Sequence, residues 1–121
     1  MTELEKLRKV CDIINEDGID IDYRGEASIC PVVGVYDCFN ACAFLDDNLI
    51  DVYADNIFRD AAVATAGLIH EWGHFLADRR LGDSHTERDA WEYGMMAVPG
   101  EYHPTNMMEV MEVCLKEYEI Y

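Results

Sequence analysis

His70-Glu71-Trp72-Gly73-His74 sits at the end of an apolar run, and its residue types and spacing are those of a metal centre. Two histidines four apart on a helix leave the same face, one turn above the other. Their imidazoles can share one zinc ion, with ring nitrogens about 2 Å from it. Glu71 lies about 100° round the helix from His70 and about 60° from His74. It can therefore face a water on the zinc without binding the zinc itself. This is the H-E-x-x-H arrangement of metallopeptidases, in which the Glu serves as general base. The competing reading is a helix that carries two structural histidines and a surface Glu.

Catalytic zinc usually has three protein ligands and one open position. Asp78 lies one turn further along the same helix and could only stack above the histidines. An acid from the next, antiparallel helix closes a tetrahedron better, which points to Glu87 or Asp89. Both have a structural alternative. Ser84-His85-Thr86-Glu87 is a capping-box pattern, and Thr86 could equally cap against Asp89. Spacing leaves the choice open.

The elements that must position these groups follow from periodicity. Thr2 and Glu5 form a capping box, and Leu4, Leu7, Cys11 and Ile14 fall on one stripe of a helix over 3–16, stopped by Gly18. Ile19, Ile21 and Tyr23 alternate with Asp20 and Asp22 as a short strand. Strand regions are predicted at 32–36 and near 39–45. After the turn residues Asp46, Asp47 and Asn48, another strand covers 49–53. Asp55 or Asn56 can cap the motif helix, which runs to about Arg80 and ends at Gly82. A third helix is predicted over 86–97, before Pro99. Asn106 and Glu109 form a capping box for a last helix, with an apolar stripe of Met107, Val110, Met111, Cys114, Leu115 and Tyr118. The expected fold is α+β. A small, mostly antiparallel sheet packs with an N-terminal helix, the motif helix and two C-terminal helices, in one domain spanning 1–121.

Composition narrows the function classes. At 121 residues and 50% hydrophobic, the chain can bury a core without disulfides. No apolar stretch approaches the ~20 residues that span a bilayer, and the first residues lack the character of a secretory signal. Five scattered cysteines, Cys11, Cys30, Cys38, Cys42 and Cys114, fit reduced thiols and a cytoplasmic location. Cys38 and Cys42 lack a nearby partner pair for a second metal site. Nine basic against 25 acidic residues give a net charge of −16. That argues against direct nucleic-acid binding, which needs clustered Lys and Arg. It is compatible with a basic protein partner or with plain solubility.

The chain resembles the ImmA/IrrE family of zinc metallopeptidases over most of its length. The resemblance rests on the strand Asn48-Leu49-Ile50-Asp51-Val52-Tyr53 before the motif helix and on the glycine that precedes the second histidine. It rests also on Glu87-Arg88-Asp89-Ala90-Trp91-Glu92-Tyr93-Gly94, followed by an apolar run to Pro99. It implies that Glu87 is the third zinc ligand. Trp91 stands where family members carry Asp or Asn. The implied mechanism is peptide hydrolysis with zinc, in which Glu71 takes the proton of a water and returns it to the leaving amine. Tyr93, Tyr102 and His103 are the candidates to polarise the carbonyl, and Tyr93 could equally be core. His85 reads as a solvated loop residue, and Trp72 and Phe75 as packing of the motif helix on the sheet. A strand edge beside that helix could hold an extended peptide.

Three functions compete: a zinc endopeptidase acting on a protein or peptide substrate such as a repressor-like regulator, a zinc-stabilised binding module without turnover, and a metal-free helical interaction protein.

Overall fold

The computed structural model describes residues 1–24, 41–53 and 61–120. Among these are four helices and a three-stranded sheet, an α+β arrangement. Helix α1 spans Glu3–Glu16, strands β1, β2 and β3 span Asp20–Arg24, Ala41–Phe44 and Leu49–Tyr53, and helices α2, α3 and α4 span Ala61–Leu81, Glu87–Ala97 and Met107–Ile120. The expected strand at 32–36, the caps Asp55 and Asn56, and the side chains of Cys30, Cys38 and Tyr118 lie outside the described residues.

Helix α1 starts where Thr2 accepts the Glu5 N–H and ends before Gly18, whose φ of 84° suits a residue without a Cβ. Its buried stripe is Leu7, Val10 and Ile14; Leu4, expected on that stripe, is 44% exposed. Position 10 lies three residues from 7 and four from 14, so Val10 completes the inward face and Leu4 falls at its solvent end. The apolar stripe of α4 forms as expected, with Met107, Val110, Met111 and Leu115 buried. Its predicted capping box does not close on Asn106, because the buried Asn106 Oδ1 has no hydrogen-bond partner.

The sheet is mixed, which corrects the expectation of a mostly antiparallel one. Strand β3 is central, antiparallel to β2 and parallel to β1. The antiparallel pairing comes from a tight connection. A single 3-10 turn at Leu45–Asp47 and Asn48 at φ 50° reverse the chain, as the Asp-Asp-Asn signal predicts. The parallel pairing is long-range, with Ile21 opposite Ile50, and no local turn announces it.

Helix α2 is the centre of the molecule. Residues 63–70 are buried without interruption, so this half has no polar face. Large side chains fill one side of it, including Leu68, Ile69 and Phe75 in a core shared with Ile14, Ile50 and Val52. The other side meets α3 almost at backbone distance. A Cβ on Gly73 would fall inside the Ala90 carbonyl, and one on Gly94 inside the Ile69 carbonyl. These two glycines let α2 and α3 pack closely enough for short side chains to reach across. No helix of the described residues is long and apolar enough to cross a membrane.

Candidate metal centre

His70 and His74 leave α2 on the face turned toward the start of α3. Their ring centroids are 4.8 Å apart. Between them lies the Glu87 carboxylate, from the first residue of α3: Oε1 is 3.2 Å from His70 Nε2 and Oε2 is 3.2 Å from His74 Nε2. Asp89 goes elsewhere. It accepts the Thr86 N–H at 2.9 Å while Thr86 Oγ1 accepts the Asp89 N–H at 3.1 Å, a closed capping box. The two roles that spacing left open are therefore divided: Asp89 caps α3, and Glu87 meets both imidazoles.

Glu71 occupies a third position. Its Oε1 is 3.6 Å from His70 Nδ1, its side chain is 13% exposed, and it accepts a hydrogen bond from the Ala43 N–H of β2. His70, Glu71 and His74 each offer a ligand atom within 4.8 Å of one another, so the group could hold a metal ion. Glu71 faces the Nδ1 edge of His70, however, whereas Glu87 faces the Nε2 atoms of both rings.

The protonation pattern follows from burial and charge. Burial pushes the Glu71 carboxyl up and the negative Glu87 adds to this, against the pull of His70, His74 and the Ala43 N–H; the net shift is upward. Burial also opposes the charge on Glu87, but its contacts with the two imidazoles prevail and hold its carboxyl far below the usual range. Burial favours neutral His74, yet the Glu87 hydrogen bond and the charges of Glu71 and Glu87 outweigh it and raise its pKa.

Residues behind the imidazoles fix their planes. Trp91, 1% exposed, stacks on His70 with centroids 4.2 Å apart and planes 1° from parallel. It orients that ring by flat contact instead of by a hydrogen bond. His74 Nδ1 lies 3.0 Å from His85 Nε2, so His85 contacts the cluster and is not merely a solvated loop residue. Its recognisable signal was position: it follows Gly82, which ends α2 and turns the chain back.

Two other candidates are placed elsewhere. Tyr93 lines a surface groove with Leu76, Arg79, Arg80, Met96 and Ala97, a set that includes no member of the cluster. Its register on α3 turns it away from Glu87, six residues earlier. His103 Nε2 donates to the Val98 carbonyl at 2.8 Å and braces the turn around Gly100–Tyr102. Tyr102 packs against the core. Phe75 and Trp72 are both buried in the core as expected, and Trp72 also reaches the end of α1: its Nε1–H donates to Asp17 Oδ2 at 2.9 Å, and the Arg79 guanidinium meets the same oxygen. Comparison with known protein families, with curated proteins and with solved structures found no match.

Proposed function

We propose that the chain is a zinc-dependent endopeptidase of the ImmA/IrrE kind, with His70, His74 and Glu87 as ligands and Glu71 as general base. One observation carries the reading: a single carboxylate reaches the Nε2 atoms of both imidazoles at 3.2 Å. Ligands about 2.05 Å from a tetrahedral centre lie about 3.3 Å from one another. Each Glu87 oxygen stands at about that separation from one imidazole, so a small turn of the carboxylate would let one oxygen serve both. Two imidazoles and a carboxylate are also a donor set that zinc favours. His70 Nε2 supports it further. That atom is buried and faces the Glu87 carboxylate at 3.2 Å, so a ring nitrogen and an anionic oxygen converge on one spot, which a cation would satisfy.

When bound, the metal supplies Lewis-acid activation of water and of a peptide carbonyl. The protein's own groups do the rest. Glu71 accepts a proton from the attacking water and passes it to the departing amine, and its burial in the metal-free site raises its proton affinity. The Ala43 N–H keeps that carboxylate against β2, an edge strand of the described sheet. A substrate in extended form, laid along that edge, would bring its scissile bond past Glu71.

A second reading, a zinc-stabilised binding module without turnover, is favoured by the placement of Tyr93 and His103 on partners outside the cluster. The Glu71→Gln variant separates the two. The amide is nearly isosteric and the residue is not a proposed ligand, so zinc content should stay near wild type. Cleavage of helix-turn-helix repressors should fall by about 10²–10⁴. Undiminished cleavage in the variant would refute the base, and a wild type that cleaves no candidate would favour the binding module.

A further inference from the structure

Among the described residues, His85 touches the cluster, at 3.0 Å from His74, and the proposed chemistry leaves it without a task. It stands just past the 3-10 turn Gly82–Ser84, and two of its groups lean on one atom: its backbone N–H and its Nδ1 lie 3.2 Å and 2.9 Å from the Gly82 carbonyl oxygen. A carbonyl oxygen only accepts, so His85 Nδ1 must carry the hydrogen. In the neutral ring, Nε2 is then left with a lone pair. That lone pair points to His74 Nδ1, 3.0 Å away, with the rings tilted by 60°. His74 Nδ1 must therefore be the donor.

We infer that His85 is a positioning residue: through the chain Gly82 C=O, His85, His74 it holds His74 as the Nδ1–H form and commits His74 Nε2 to the Glu87 side. This rests on the zinc reading for what Nε2 is needed for, while the hydrogen-bond order rests on geometry alone. A ligating imidazole whose second nitrogen donates to a fixed acceptor has its ring plane set in advance and loses only its Nε2 proton as the metal binds, which strengthens binding. The acceptor for His74 is then a histidine in the turn that ends its own helix, tied to a carbonyl three residues before it. The ring of His70 is set differently, by the face of Trp91, so the two ligands would be oriented by different physics.

Zinc affinity, read by competition with a chromophoric chelator, tests the role in the full chain. His85→Phe keeps ring volume but offers no acceptor, and should bind zinc about 10–100-fold more weakly. His85→Gln can present an amide oxygen to His74 Nδ1 and should recover most of that loss. Ring-nitrogen NMR of the zinc-loaded wild type needs no substitution, and should show His74 protonated at Nδ1. Wild-type zinc affinity in His85→Phe, no recovery in His85→Gln, or a zinc-loaded His74 ring protonated at Nε2 would each overturn the role. A wild type that takes up no zinc would instead overturn the metal reading, and spectra of the metal-free protein must then show a hydrogen on His74 Nδ1 for the order of hydrogen bonds to stand.

Discussion

The two flanks of α2 are built by different means. Toward α3, the helix meets its neighbour through Gly73 and Gly94, with backbone against backbone and no room for a methyl group. Toward α1, contact runs through large side chains and one polar node, in which Trp72 and Arg79 share Asp17. The first flank sets the distance from His70 and His74 to Glu87 with no flexible side chain in between. The second holds α2 in the core but supplies none of the proposed ligands. A centre that needs tenths of an ångström is thus placed on the rigid flank, and the adaptable flank carries stability.

Gly73→Ala should break this contrast most severely. In a free helix the change would be favourable by up to about 1 kcal/mol. Here the new methyl group meets the Ala90 backbone, which has no rotamer to yield, so α3 must move. The expected cost is about 3 kcal/mol or more, with loss of zinc binding, read by chemical denaturation and metal analysis of one preparation. A stable, zinc-binding Gly73→Ala protein would show that close approach is not what positions Glu87.

Glu87→Ala and Asp89→Ala sharpen the contrast within α3 itself. The first should abolish stoichiometric zinc binding. The second removes a cap and should cost about 1 kcal/mol of stability with zinc retained. The reverse order would move the third ligand to Asp89.

In the metal-free protein the same face should show a pH signature. Glu87 has its pKa lowered from 4.5, so its contribution to stability is present above that value and is lost as pH falls through the folded pKa. His74 has its pKa raised from 6.5, so its contribution is complete below 6.5 and is lost as pH rises through the raised value. The difference in Tm between metal-free wild type and Glu87→Gln should therefore be widest between pH 4.5 and 6.5. With zinc present, stability should instead increase with pH, since the metal displaces the proton from His74. A gap that does not vary with pH would mean that the pair is not coupled.

The smallest effect belongs to the α1 flank. Trp72→Phe deletes one hydrogen bond to Asp17 and should cost about 1–2 kcal/mol, with zinc affinity unchanged. A loss of zinc binding here would show that the flanks are not independent.

Much of this is legible in the sequence where the relevant spacing is local. His70, Glu71 and His74 lie within one helical turn and a half, and the α2–α3 connection is short, so the cluster and the helix that brings Glu87 follow from periodicity. The choice between Glu87 and Asp89 does not, because both acids occupy the first turn of α3 and both suit a cap. Gly73 is visible as a residue but not as a contact. Strand β1 follows from the alternation at Ile19, Ile21 and Tyr23, whereas its parallel pairing with β3 depends on contacts across the chain and leaves no mark in either strand. Trp91, Tyr93 and His103 illustrate the remaining limit. Their types suggest chemistry or its absence, but only packing shows that Trp91 stacks on His70 while the other two face different partners.

The central question is whether His70, His74 and Glu87 hold one metal ion together. Metal analysis of the purified chain after dialysis should give about one zinc per molecule, and His74→Ala should reduce this to background while its circular dichroism stays helical. A zinc content in His74→Ala equal to that of the wild type would contradict the proposed centre.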